Sequence, residues 1–373
     1  MPAPQPFEMI RRATRPVRVG DVTIGGGASI SVQSMTTTHT EEVGATLGQI
    51  EELAALGCDI VRCAVPNRAS VSAFGRVADA SALPVVADVH FDHHLALLAL
   101  QEGAAGVRIN PGNMRDREGL REFYRAAAQA AAKVRIGVNS GSIRPRKGLE
   151  VEQGDEDLAE LMVREALAYC RDAEQEGLRN IVLSLKASDV PTTIAAYRMA
   201  AGRCDFPFHL GVTAAGPPAR SIVKSAIGIG ALLAEGIGDT IRVSMTGPPH
   251  DEVKAGVAIL EALGLRAPDG PRVISCPTCA RCEIDVSALA QEVADRTEGM
   301  SEPLTIAVMG CVVNGPGEAS EADVGIAGGG DFGYLFREGR MLRKVPAGGL
   351  ADALVDEVRQ ICESRRGEGR MGE

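Results

Sequence analysis

Short runs of β-branched and aliphatic residues recur along the chain, most of them followed by an Ala/Leu/Glu-rich stretch long enough for one helix. The runs fall at 30–35, 60–64, 85–89, 106–109, 135–138, 181–185, 209–212 and 240–243; the helical stretches include 46–56, 92–102, 117–132, 157–176, 192–201, 221–235 and 250–263. Eight β-then-α units predict an α/β fold, a TIM (β/α)8 barrel. An open doubly wound sheet is the alternative, but no Gly-x-Gly-x-x-Gly follows a first strand. Two short apolar runs around Gly20-Asp21 predict a hairpin ahead of the barrel. The connection after the fifth strand is the longest and carries Arg144, Arg146 and Lys147. The Pro/Gly segment 266–271 predicts the domain boundary, giving a barrel over 1–267 and a small α+β domain over 268–373. In the second domain a helix is expected at 286–297, a strand at 305–309, a last helix at 350–364, then a polar flexible tail.

In a barrel strand, alternate side chains face the helices and the interior. With the apolar residues turned to the helices, one phase serves seven of the strands. It points Arg62, Asp88, His90, Arg108, Asn110, Arg135, Gly137, Asn139, Ser184, Lys186, His209, Gly211, Thr213, Arg242 and Ser244 inward. Inward polar residues near strand C-terminal ends are where barrel enzymes keep their chemistry. Five of these are cations, and burying them unpaired would cost several kcal/mol each. Asp88 is the one inward carboxylate in this reading. The set predicts a small polyanion, most simply a diphosphate, held by charge-assisted hydrogen bonds; ion pairing with barrel carboxylates is the structural alternative. His90 is expected to bond the substrate or move a proton. Asp88, His90, Asp92, His93 and His94 could form the metal site of a hydrolytic barrel, but where a helix opens Asp92, His93 and His94 read as an ordinary cap. His209, deep in its strand, is expected to be a satisfied core histidine.

Composition narrows the partners. The formal charge is −10, with no Trp, 8 Phe and 4 Tyr, which suits neither nucleic acid nor a membrane surface. No apolar run approaches a membrane span, and residues 1–6 show no signal-like region. A reduced, cytoplasmic protein is therefore expected, in which clustered cysteines mean metal or catalysis. Of the nine cysteines, Cys276 and Cys279 form a Cys-x-x-Cys, and Cys311 follows the strand at 305–309. A turn-rich loop brings Glu318 back near Cys311. Zinc would want four closed ligands; an iron–sulfur cluster wants thiolates. Cys282 offers a fourth thiol and Glu318 an oxygen. The harder carboxylate would hold its iron less tightly and leave room for a substrate oxygen. Cys58, Cys63, Cys170, Cys204 and Cys362 read as structural.

Specific segments carry a family resemblance: Val32-Gln33-Ser34-Met35-Thr36, Val107-Arg108-Ile109-Asn110-Pro111-Gly112-Asn113, Ile136-Gly137-Val138-Asn139, Lys186-Ala187-Ser188-Asp189, Cys276-Pro277-Thr278-Cys279 and Gly310-Cys311-Val312-Val313-Asn314-Gly315-Pro316-Gly317-Glu318. From about residue 17 to about residue 344 the chain resembles the bacterial 4-hydroxy-3-methylbut-2-en-1-yl diphosphate synthases. The resemblance implies a barrel plus a small domain bearing a [4Fe–4S] cluster on Cys276, Cys279, Cys311 and Glu318. It implies 2-C-methyl-D-erythritol 2,4-cyclodiphosphate as substrate, opened and dehydroxylated with two electrons from flavodoxin or ferredoxin. It also implies a homodimer whose active site is shared between subunits. On it, Arg62, Asp88, His90, Arg108, Asn110, Arg135, Asn139, Lys186, Thr213, Arg242 and Ser244 are expected to bind substrate, and Glu318 and His90 to take part in catalysis. One departure stands out: after the seventh strand the family's usual Thr-Glu-Ala-Gly is Thr213-Ala214-Ala215-Gly216 here. Two rivals remain. One is a metal-dependent barrel hydrolase built on Asp88 and His90 with a structural zinc in the small domain. The other is an electron carrier with a binding barrel.

Overall fold

The computed structural model describes residues 9–114, 116–143, 157–213, 216–313, 315–320 and 322–369, with Ser142, Pro316, Glu318 and 366–369 described by backbone alone. The loop cations Arg144, Arg146 and Lys147 and the departure at Ala214 lie outside the described residues. Two compact units divide between Arg266 and Ala267.

The first unit opens with the hairpin β1 (Val17–Val19) and β2 (Val22–Ile24), turned at Gly20 with φ 60°. Eight parallel strands follow: β3 (Ser31–Met35), β4 (Ile60–Ala64), β5 (Val85–Asp88), β6 (Gly106–Ile109), β7 (Lys133–Asn139), β8 (Ile181–Lys186), β9 (His209–Leu210) and β10 (Thr240–Ile241). They hydrogen-bond in the order β8-β7-β6-β5-β4-β3-β10-β9, and a bridge from Leu183 to Phe208 joins the two ends. The TIM barrel expected from the periodicity is the fold. The last two ladders are shorter than their apolar runs. Beyond them single links remain, Arg242 N–H to Leu210 O at 3.0 Å and Thr213 N–H to Ala187 O at 3.3 Å.

Helices alternate with the strands: α1 (Val43–Ala55), α2 (Arg68–Ala80), α3 (His93–Gln101), α4 (Arg117–Gln129), the short α5 (Ser140–Ile143), α6 (Leu158–Gln175), α7 (Val190–Ala201), α8 (Pro218–Ala234) and α9 (Pro249–Ala262). Several start on an Asp whose side chain accepts a first-turn N–H, as Asp92, Asp116, Asp157 and Asp189 do. In α4, Leu120, Phe123, Tyr124 and Ala127 form one buried stripe at helical spacing. Truncating Phe123 to Ala would cost about 3–5 kcal/mol.

The strand phase follows from the two cores. Val61, Cys63, Val107, Ile109, Ile136, Leu183, Leu210, Ile241 and Val243 belong to the large core that contains the buried helix stripes. The inward residues Ile60, Val86 and Val182 pack instead with Val17, Val19 and Ile24 of the hairpin. These three stand toward the N-terminal ends of their strands, so the hairpin plugs that end. The polar inward residues are left toward the C-terminal end.

The second unit holds β11 (Arg272–Ser275), α10 (Val286–Thr297), β12 (Thr305–Met309), α11 (Gly315–Ala319), β13 (Val324–Gly328), β14 (Phe332–Arg337), β15 (Arg340–Pro346) and α12 (Leu350–Gly369). The strands form one sheet in that order; the first three are parallel and the last two antiparallel. One face carries the apolar core shared with α10 and α12, the other a smaller core of Ala307, Met309, Ala319, Ala322, Ala327 and Phe336. No helix of the described residues is long and apolar enough to cross a membrane.

Candidate active site

At the C-terminal end of the barrel strands a cavity of about 110 Å³ is lined by Arg62, Arg108, Arg135, Gly137, Asn139, Ser184, Lys186, Val212, Thr213, Arg242 and Ser244. Eight of the expected substrate residues meet there, all five cations among them. Asp88 lies behind them: Arg108 Nη1 donates to its Oδ1 at 3.2 Å, and Arg62 Nε stands 3.6 Å from its Oδ2. Burial alone would raise the Asp88 carboxyl. The charges of Arg62 and Arg108 and the bond from His90 outweigh it and hold the group far below the ordinary range. His90, 44% exposed, places Nε2 3.3 Å from Asp88 Oδ2 and 2.9 Å from Arg108 Nη1. Asn110 is turned elsewhere, its Oδ1 accepting from Gly112 N–H at 3.2 Å as the cap of the turn Pro111–Asn113.

Three buried groups escaped the sequence reading. Glu252 on α9 accepts from Arg242 Nη2 through both carboxylate oxygens, at 3.1 and 2.9 Å, so Asp88 is not the only carboxylate of the site. Its signal was present, an acidic first turn just after the eighth strand, but that position also reads as a helix-dipole residue. Gln33 accepts from Arg135 Nη1 at 2.8 Å. Lys133, one turn of the pleat below Arg135, is fully buried.

Among the described residues, five cations stand against two carboxylates, which leaves these groups electropositive. Among the described residues, the Nε atoms of Arg62, Arg108, Arg135 and Arg242 are buried without a hydrogen-bond partner. Guanidinium groups stay charged in proteins, so the stress falls on groups that can release a proton. Burial, then the charges of Arg135 and Arg242, pushes the Lys186 ammonium well below its ordinary range. Burial, then Arg135 and Arg62, does the same to Lys133. His209 is pushed down by burial and then by Arg135 and Lys186. It is a core histidine, as expected, but not a satisfied one: neither ring nitrogen has a partner among the described residues. Gly211 is required here, because a Cβ would stand 2.7 Å from Lys186 Nζ and 2.6 Å from Arg242 O.

Asp92, His93 and His94 bring three ligand atoms within 4.8 Å of one another. Asp92 caps α3, accepting from His94 N–H at 2.9 Å, while His93 Nδ1 stands 3.7 Å from Asp116. Asp88 and His90 are instead tied to Arg108.

In the second unit β11 and β12 are parallel neighbours, so the residues following them emerge side by side. Cys276, Cys279 and Cys311 line one cavity of about 120 Å³ with Pro277, Arg281, Met309, Gly310 and Gly315. Gly310 N–H donates to Cys276 Sγ at 3.2 Å, the bond a thiolate ligand accepts. Cys282 faces away: its Sγ points to Ile284 O at 3.1 Å, and a Cβ on Gly310 would collide with it. The Glu318 side chain lies outside the described residues. Cys58 and Cys63 are buried, and burial pushes their thiols up to about 12 and about 11. Such thiols are inert.

The chain matches the GcpE TIM-barrel domain over residues 14–257 and the GcpE protein C-terminal domain over residues 272–360. It is 53% identical over 356 residues to a Geobacter sulfurreducens protein named 4-hydroxy-3-methylbut-2-en-1-yl diphosphate synthase (flavodoxin), covering 95% of this chain and 100% of that one. A Salinispora arenicola protein of the same name is 49% identical over 370 residues, covering 99% and 94%. Among solved structures, a Burkholderia cenocepacia dihydropteroate synthase superposes with a TM-score of 0.50 at 13% identity, covering 67% of this chain and 96% of that one. That likeness concerns the fold alone.

Proposed function

The chain belongs to the GcpE family, and on that premise we propose that it makes 4-hydroxy-3-methylbut-2-en-1-yl diphosphate from 2-C-methyl-D-erythritol 2,4-cyclodiphosphate. The ring carbon–oxygen bond and a hydroxyl bond break, two electrons and two protons enter, and one water leaves. The observation that carries this reading is the barrel mouth. Four arginines with orphaned Nε atoms and one destabilised ammonium surround a cavity with, among the described residues, two carboxylates behind it. A diphosphate supplies the missing acceptors.

Arg62, Arg108, Arg135, Arg242 and Lys186 bind the two phosphates in this reading, and Asn139, Thr213 and Ser244 add neutral hydrogen bonds. Asp88 holds Arg62 and Arg108 in place for them. His90, on the half-open rim and tied to Asp88, is the candidate proton donor to the departing hydroxyl. Cys276, Cys279 and Cys311 would hold a [4Fe–4S] cluster, with Glu318 as the fourth ligand and a participant in catalysis. When bound, such a cluster supplies one-electron reduction and Lewis acidity at the bond that breaks. The cavity that the three sulfurs share and the N–H donated to Cys276 support this reading. A flavodoxin, named for the relatives, or a ferredoxin would donate the electrons. The protein works as a cytoplasmic homodimer with the active site shared between subunits. That arrangement suits two regions of which one binds anions without redox chemistry and the other is the reverse.

Anaerobic purification and a turnover assay test the proposal. A brown protein with about four iron and four sulfide per chain, consuming the cyclodiphosphate with a chemical reductant, is expected. A colourless protein with one zinc and no turnover overturns it.

A further inference from the structure

The outer strand of the small sheet combines exposed apolar side chains with cations. β15 is an edge strand, exposed on both faces except at Val345. Met341 and Leu342 are 60% and 47% exposed, flanked by Arg340, Arg343 and Lys344. In a chain of charge −10, many surface arginines are ion-paired, Arg337 with Glu357 at 3.2 Å among them. Among the described residues Arg340 and Arg343 form no such pair. Edge strands do carry cations to block aggregation, but that purpose gains nothing from two exposed apolar side chains beside them. A bulge at Leu335/Phe336 leaves Leu342 out of register.

The strand is also wired inward. Lys344 pairs with Tyr334, Tyr334 with Ala327, and Ala327 with Met309, which lines the cysteine cavity. This row crosses the sheet in three strand spacings, about 14 Å. Lys344 Nζ sits 3.5 Å from the Phe332 ring centroid, and Phe332 meets Tyr334 edge-on at 5.3 Å. Phe332 and Val312, the residue after Cys311, both close on Gly329. A basic, partly apolar surface thus lies one aromatic layer from the cysteine loop.

We propose that β15, through Arg340, Arg343, Lys344 and Met341, is the docking surface for an acidic one-electron carrier protein, a flavodoxin in the reading above, on which this proposal rests. Each docking would oxidise the carrier by one electron, which the group that Cys276, Cys279 and Cys311 would hold would accept. Two dockings supply the pair the reaction consumes. The cations steer the encounter, and Met341 provides the apolar centre.

The test uses the iron-loaded enzyme and an acidic flavodoxin, with affinity measured by titration at low ionic strength. The charge reversal R340E/R343E/K344E is expected to weaken binding at least about tenfold, and wild-type affinity is expected to fall as salt rises. Iron content and turnover driven by a small viologen should stay at the wild-type level. If the reversal loses iron, the neutral variant R340Q/R343Q replaces it and should weaken binding by a smaller factor. Flavodoxin affinity unchanged in the variants would overturn the assignment. Failure of the wild type to consume the cyclodiphosphate with viologen would instead defeat the functional reading, and the affinity comparison would still decide the surface.

Discussion

The barrel mouth and the cysteine cavity are both built at strand C-terminal ends, yet the chain holds them differently. The cations stand on or next to strands fixed by neighbours on both sides, and their partners Asp88, Glu252 and Gln33 are buried. The sulfurs stand on turns beyond β11 and β12, and Cys279 is exposed. A site on strands can store electrostatic stress, because the ladder prevents like charges from separating. A site on turns leaves its ligands to be ordered by what they bind. The two regions should therefore respond oppositely to substitution.

The sharpest break is Cys276→Ser. Iron content and turnover should fall to background, while the barrel still binds the cyclodiphosphate with wild-type affinity by calorimetry. Lost binding would mean the regions are not separable. Next, Glu252→Gln leaves the Arg242 guanidinium without its carboxylate and should cost about 3 kcal/mol. In a barrel of this size that is roughly 6–12 °C in melting temperature. Calorimetric unfolding reads it, and iron content should not change.

Lys186→Met should weaken substrate binding by about 1.5–3 kcal/mol, tenfold to somewhat over a hundredfold. The wild type carries a further signature. Burial and the charges of Arg135 and Arg242 lower the Lys186 ammonium, so around the lowered value the free protein binds fewer protons than the complex. Binding should take up protons, and affinity should fall as pH rises through the lowered value. Calorimetry in buffers of different ionisation enthalpy reads this, and Lys186→Met should remove much of it. By the same linkage the unfolded chain holds more protons than the free fold at Lys133, Lys186 and His209. Their contribution to stability therefore rises with pH from the lowered values toward the ordinary ones. The smallest effect is expected from Cys282→Ser: its sulfur faces Ile284 O, so iron content should be unchanged.

Much of this was legible in the chain. The eight β-then-α units and the inward phase of Arg62, Arg108, Arg135, Lys186 and Arg242 follow from period-two alternation, which is local: once one residue of a strand faces the helices, its neighbours cannot. The spacing of Cys276, Cys279 and Cys311 around strand ends was legible for the same reason. What the alternation could not supply was the reach of a side chain from another element. Glu252 meets Arg242 from a helix, and Gln33 meets Arg135 across the barrel. Asn110 spends its amide on the turn that follows it. His209 carries a ring that finds no hydrogen-bond partner among the described residues. Cys282, chemically identical to its neighbours in sequence, is turned into the apolar core behind Gly310. Which residues face inward was thus decided by the chain itself. Which charges are neutralised, and which sulfurs share a cavity, was decided only by packing, because hydrogen bonds and ion pairs act over about 3–4 Å between elements whose separation no sequence interval records.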